Sequence, residues 1–329
     1  MATAADTPLL RVRDLTVEFV GRTSCLRAVD GVSFEVAEGE TLAVVGESGS
    51  GKTATALALM RLLPAGKAQA SASEVTFEGC DLMRLPESRM RELRGNRISM
   101  IFQDPMSAWN PALTIGKQVA EPIQCHELLS WPSALSRAEE LLGSVRIPDP
   151  RSRSGQYPHQ FSGGMRQRAM VAMALACRPR LVIADEPTTA LDVTVQAQIL
   201  NLLKDLTRQS GASLILVTHD LGVVARYADR VAIMYAGRIV ESGSAREVYR
   251  QPGHPYTRGL LACVPRLDRP ATGALTPIPG QPPSLNRLPS GCAFHPRCPH
   301  AMERCRRERP VLEHKGGQHW GACFVDFHR

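Results

Sequence analysis

The run Gly46-Glu47-Ser48-Gly49-Ser50-Gly51-Lys52-Thr53 fits the pattern G-x-x-x-x-G-K-[ST], a spacing suited to phosphate chemistry. Glycines let successive backbone N–H groups turn inward around phosphate oxygens, and the N-terminus of a following helix adds the positive end of its dipole. Lys52 would reach β- and γ-phosphates, and Thr53 would coordinate Mg²⁺. The pattern has this meaning only between a strand and a helix. The apolar run Thr41–Val45 and the helical pattern Thr55–Leu63 supply that setting, which disfavours a fortuitous glycine-rich turn.

A second apolar run, Leu181-Val182-Ile183-Ala184-Asp185, ends in a carboxylate and is followed directly by Glu186. In phosphoryl transfer the first acid can hold Mg²⁺ and a neighbouring carboxylate can polarise the attacking water. A strand that merely ends in surface acids is the plainer reading, and the upstream phosphate loop argues against it. Between the two motifs lies Phe161-Ser162-Gly163-Gly164-Met165-Arg166-Gln167-Arg168, followed by a helical run from Ala169 to Cys177. Ser162 reads as an N-cap, and Gly163-Gly164 permit close backbone approach, making a second helix N-terminus able to hold an anion.

These motifs need a scaffold. Apolar β-rich runs at Thr41–Val45, Ile98–Phe102, Leu181–Ala184, Leu214–Thr218 and Arg230–Tyr235 alternate with helical patterns, which predicts an α/β fold. The 329 residues are 43% hydrophobic, 5% aromatic and 22% charged, the balance of a globular protein rather than a disordered or collagenous one. No stretch approaches the roughly 18 to 20 apolar residues of a membrane span, and Met1–Arg11 has neither basic start nor apolar core for a secretory signal. A cytosolic location is expected. The net charge of +7 comes mostly from arginine, 34 against 5 lysines. The charges are scattered, so a solvated surface is expected rather than a nucleic-acid partner.

The serine-glycine motif makes a resemblance explicit. The chain resembles the ATP-binding subunit of an ABC transporter, whose signature is commonly LSGGQ and whose dimer covers each nucleotide with the partner's signature. The resemblance spans about residues 9–250 and implies a P-loop NTPase cassette, with a RecA-like core and a helical subdomain at about 104–175. Phe161 and Met165 depart from the usual Leu and Gln but leave Ser162, Gly163 and Gly164 intact. It further implies that Gln103 is the Q-loop glutamine near Mg²⁺, Asp192 the D-loop acid and His219 the switch histidine near the γ-phosphate. It also makes Phe19, in a strand Asp14–Phe19, the aromatic that stacks on adenine, with core packing as the alternative. Catalysis would then rest on Glu186 as general base with Lys52 and His219 on the γ-phosphate. Thr53, Gln103 and Asp185 would form the Mg²⁺ shell, and Ser162, Gly163, Gly164 and Met165 would serve the partner's ATP.

From Pro252 onward the composition changes, with 12 of the 24 prolines in 78 residues and turn formers from Thr276 to Gly291. The boundary predicts a cassette over 1–252 and a Pro-rich extension over 253–329. Four of the nine cysteines crowd the last forty residues with the spacing Cys292-x5-Cys298-x6-Cys305-x17-Cys323. In a reducing compartment such clustering points to metal rather than disulfides. The tail is similar to that of oligopeptide and dipeptide permease ATPases, which implies that these four cysteines hold a [4Fe–4S] cluster. Four thiolates suit Zn²⁺ equally, and His295, His300 and His319 could compete as ligands.

The implied function is the ATP-hydrolysing subunit of an importer for di- or oligopeptides, at the cytoplasmic face of the cell membrane. Its expected partners are two membrane permease subunits, a second ATP-binding subunit, identical or homologous, and a separate solute-binding protein. Import of glutathione or a metal chelate, a soluble ABC ATPase acting on nucleic acid, and a redox sensor are the alternatives.

Overall fold

The computed structural model describes residues 7–21, 25–189, 191–264 and 277–327. It divides into two compact units, one of residues 1–36, 41–83 and 218–329 and the other of residues 37–40 and 84–217.

The first unit contains two sheets. In one, Leu10–Val20 pairs antiparallel with Cys25–Val36, from Leu10 opposite Val36 to Val20 opposite Cys25, and its other edge takes Ala68–Ser71 and Glu74–Phe77. The strand is longer than the expected Asp14–Phe19 because Leu10, Val12, Leu15 and Val17 are all buried, and a half-buried sheet face extends as far as its apolar positions. In the other, Thr41–Val45 lies parallel to Arg230–Tyr235, which turns back into Arg238–Ser244. That strand pairs with His319–Gly321, itself paired with Glu313–Gly316. The Pro-rich tail therefore ends as sheet edge.

The tail also enters the apolar core beneath this sheet. Phe294 and Tyr256 are almost fully buried with Val45, Val224, Ile233 and Tyr235. The ring of Phe294 meets Tyr235 edge-on at 5.2 Å between centroids. A segment too small for a core of its own is thus stabilised by a core it shares.

The second unit holds the parallel strands Ile98–Ile101, Leu181–Asp185 and Ser213–Thr218. Every residue of Leu181–Asp185 is buried, as expected for a parallel strand covered on both faces. Helices Ile115–Glu127, Trp131–Ser144, Gly163–Ala174 and Val193–Ser210 are the long helices of the unit among the described residues. The helix expected over Ala169–Cys177 begins at Gly163, because Ser162 Oγ accepts a hydrogen bond from the Met165 N–H at 3.3 Å and caps the first turn. Among the described residues no helix is long and apolar enough to cross a membrane.

Candidate functional site

In the first unit, strand Thr41–Val45 runs into the glycine loop, and helix Lys52–Leu59 starts within the motif itself. The loop is tight. A Cβ on Gly46 would overlap the Met234 carbonyl oxygen, and one on Gly51, at φ +104°, would overlap the Ala28 carbonyl oxygen. Gly49 also lies in the left-handed region, at φ +77°, which glycine adopts at little cost. Lys52 is 4% exposed, and its Nζ donates to the carbonyl oxygens of Gly46 at 2.8 Å and Glu47 at 3.0 Å. The loop thus holds the ammonium in place. Ser50 Oγ is buried without a hydrogen-bond partner, while Ser48 and Gly49 face solvent and Thr53 is half-buried.

Leu26, Glu47, Ser48, Gly49 and Ser50 line one cavity of about 450 Å³. Its far wall is Gln281–Asn286 of the tail. Phe19 is half-buried and sits opposite Leu26 in the strand register. His219 follows strand Ser213–Thr218 and is exposed.

In the second unit the two acids differ sharply. Asp185 is 2% exposed at the end of its strand, whereas Glu186 takes φ +43°, a left-handed conformation that a non-glycine residue adopts only when its surroundings impose it. Its N–H donates to the Val217 carbonyl at 2.9 Å. Its carboxylate Oε2 accepts from Gln103 Nε2 at 3.1 Å and from Thr189 Oγ1 at 3.0 Å. Gln103 and Glu186 are 83 positions apart in sequence, and adjacent parallel strands bring them together.

The signature serine caps helix Gly163–Ala174, with Phe161 buried beneath it. Gly164 faces Val195, so that a Cβ there would stand 3.1 Å from its Cγ1. Asp192 caps the neighbouring helix, its Oδ1 accepting from the Val195 N–H at 2.9 Å. The two small-residue and acid motifs therefore serve adjacent helix starts. Ala190, beside the D-loop residues, lies outside the described residues.

The tail cysteines show a different outcome from the one expected. Cys292, Cys298, Cys305 and Cys323 line one small cavity with His254, His295 and His300. Yet among the described residues no group of three or more His, Cys, Asp or Glu side chains stands close enough to hold a metal ion. The expected metal centre thus gains no support from the geometry. Burial pushes the Cys292 and Cys298 thiols above their usual range and Cys323 to about 11, with the neighbouring sulfurs adding to each shift. The histidines are otherwise engaged. His319 meets Glu241 at 2.7 Å, the His295 ring bonds the Cys292 carbonyl at 2.9 Å, and His300 packs against Phe327.

Several residues of these sites carry no sequence signal. Thr189 holds Glu186, Tyr256 and Arg297 hold Glu47, and the buried Glu241 accepts from the backbone N–H groups of Gly253 and His254 as well as meeting His319.

The family model described as ABC transporter matches residues 29–189, and the one described as Oligopeptide/dipeptide transporter, C-terminal region, matches residues 240–305. The Oligopeptide transport ATP-binding protein OppD of Escherichia coli (strain K12) is 52% identical over 317 residues, covering 96% of this chain and 93% of that one. This chain belongs to the ABC transporter ATP-binding proteins. The Probable peptide ABC transporter ATP-binding protein y4tR of Sinorhizobium fredii is 53% identical, covering 96% of this chain and 94% of its own. The Dipeptide transport ATP-binding protein DppD of Bacillus subtilis is 51% identical, covering 98% and 96%. Among solved structures, a dimeric ATP-binding cassette in a post-hydrolysis state, bound to ADP and Pi, superposes with a TM-score of 0.65 at 26% identity. It covers 72% of this chain and 99% of that one. The expected cassette fold and ABC-type ATPase activity therefore stand.

Proposed function

We propose that this ABC ATPase drives import of di- or oligopeptides through two membrane permease subunits, working with a second ATP-binding subunit and a separate solute-binding protein at the cytoplasmic face of the membrane. The observation that carries this is the match of residues 240–305 to the C-terminal region of oligopeptide/dipeptide transporters, joined to the extensive identity with peptide and dipeptide ATP-binding proteins. The cassette alone would suit many cargoes. The tail narrows the choice.

The chemistry follows from the residues. The Gly46–Thr53 loop would bind the phosphates, with Lys52 on the β- and γ-phosphates, His219 on the γ-phosphate and Phe19 stacking on adenine. Thr53, Asp185 and Gln103 would hold Mg²⁺, which supplies charge neutralisation for the leaving phosphates. Glu186 would orient and deprotonate the attacking water. The donors Gln103 and Thr189 on its Oε2 restrict rotation of the carboxylate, which suits a base that must keep one aim. The exposed start of helix Gly163–Ala174, with Ser162, Gly163, Gly164 and Met165, would close over the partner's ATP, and Asp192 would lie at the same dimer face.

In the extension, Cys292, Cys298, Cys305 and Cys323 would hold a [4Fe–4S] cluster, with Zn²⁺ as the competing occupant. This reading rests on the spacing of the four cysteines, which line one cavity without standing close enough, among the described residues, to hold a metal ion. The cluster would supply structural cross-linking of the tail.

The deciding experiment is purification of the membrane complex from native membranes, followed by peptide uptake into vesicles. Co-purifying permease subunits and ATP-dependent peptide uptake are expected. Uptake of glutathione or a metal chelate alone, or co-purifying nucleic acid, would overturn the peptide reading.

A further inference from the structure

Glu47, the second residue of the phosphate loop, is held from two sides by the C-terminal part of the chain. Its carboxylate receives both arms of the Arg297 guanidinium, Nη1 at 2.7 Å and Nη2 at 3.0 Å. Its backbone N–H donates to the hydroxyl of Tyr256 at 2.8 Å, a side chain that is fully buried. The Arg297 side chain is only 5% exposed. Its Nε donates to the Pro279 carbonyl at 3.0 Å and Nη1 reaches the Tyr235 hydroxyl at 3.4 Å. Phe294 and Tyr235 flank the guanidinium, each ring centroid 5.9 Å away.

This is more than a surface ion pair. A guanidinium removed from water is costly unless fully paired, and the fork-to-carboxylate geometry is what compensates it. Glu47 cannot turn away without leaving that charge buried and uncompensated. Loop and tail are therefore locked together at the second residue of the phosphate loop. A glycine loop loses much conformational freedom when it closes around phosphates, and a contact that pre-shapes it lowers that cost and raises affinity.

We infer that Arg297 is a positioning residue for nucleotide binding, holding Glu47 and hence the phosphate loop in its binding shape, so that the C-terminal extension sets nucleotide affinity without touching nucleotide. The inference rests on the reading of Gly46–Thr53 as the phosphate loop. Arg297 directly precedes Cys298, and Gly291 is packed against the Cys305 carbonyl, so this side chain links the cysteine segment to the loop.

The test uses the full-length chain and calorimetric titration with ADP. Arg297→Met and Glu47→Gln should each weaken binding about tenfold, the double variant no further than either alone, and Arg297→Lys should recover part of the loss. In ATP hydrolysis by Arg297→Met, KM should rise while kcat changes by less than about twofold. A purely structural role would lower the melting temperature of the nucleotide-free protein and leave affinity as it was. Unchanged affinity in Arg297→Met, or additive losses in the double variant, overturns the inference. If Arg297→Met does not fold, amide exchange in nucleotide-free Glu47→Gln decides: faster exchange at residues 47–51 supports the clamp, and unchanged exchange overturns it. Lys52→Ala serves as reference. Wild-type ADP affinity in Lys52→Ala would remove the phosphate-loop reading, and the clamp with it. Loss there with full affinity in Arg297→Met would remove the clamp alone.

Discussion

Gln103 donates from Nε2 to Glu186 Oε2 at 3.1 Å, and this bond joins the two residues through which Mg²⁺ and water would be handled. An amide has a donor end and an acceptor end. Gln103 can therefore steady Glu186 with its nitrogen while its oxygen serves a cation. The strained backbone of Glu186 is held by the same surroundings.

Glu186→Gln should retain ATP binding and lose about 10²- to 10⁴-fold in hydrolysis, the range expected for a general base. Because binding outlives chemistry, the variant should accumulate as an ATP-bound dimer. Phosphate release and size-exclusion chromatography with ATP check this; turnover at the wild-type rate would reject Glu186 as the base.

Lys52→Ala removes a buried ammonium bonded to two loop carbonyls. Charge-assisted contacts of this kind contribute about 1.5–3 kcal/mol each, so ATP affinity should fall roughly 10- to 100-fold. Equilibrium titration reads the loss directly.

Ser162→Ala should cost about 1 kcal/mol of stability through the lost helix cap and also abolish hydrolysis at the partner's site. Mixed with Lys52→Ala protein, it should restore one working site per dimer if the chain pairs with itself. The expected result is recovery of activity on mixing; no recovery, with dimers confirmed by light scattering, would place the signature's role elsewhere.

The tail carries a pH dependence. Burial lowers the His254 pKa from 6.5 to about 4, opposed by the nearby Glu241 carboxylate. The unfolded chain therefore binds a proton between about pH 6.5 and pH 4 that the folded chain refuses, and stability falls as pH drops through that window. The upper bound is about 3 kcal/mol. Chemical denaturation at pH 7 and pH 5 should show the loss, and His254→Gln should flatten it; an equal slope in the variant would assign the effect to other groups.

Cys298→Ser tests the extension. Anaerobically purified wild-type protein should be brown, with about four iron and four sulfide per chain. The variant should be bleached and more readily cleaved after about residue 276, while ATP binding persists. Stoichiometric zinc without iron would replace the cluster with Zn²⁺, and a metal-free wild-type protein with an intact tail would remove the metal altogether.

The chemistry of the cassette was legible in the chain because it depends on contiguous residues. A phosphate loop must follow a strand and open a helix, so Gly46–Thr53 announces both its elements and its ligand. An apolar strand ending in Asp185 and Glu186, and a serine before two glycines, are local in the same sense. What sequence could not show is contact between distant positions. The Arg297–Glu47 pair spans 250 positions, and the buried meeting of His319 with Glu241 spans 78; no periodicity encodes either. The tail illustrates the difference. Its prolines and cysteines read as an irregular segment that a metal must hold together, yet Phe294 and Tyr256 enter a core made by Val45, Val224 and Ile233, and His319–Gly321 adds a strand to the sheet. Composition describes what a segment can bury alone. Tertiary structure decided what it buries against, because burial is a property of the assembled chain.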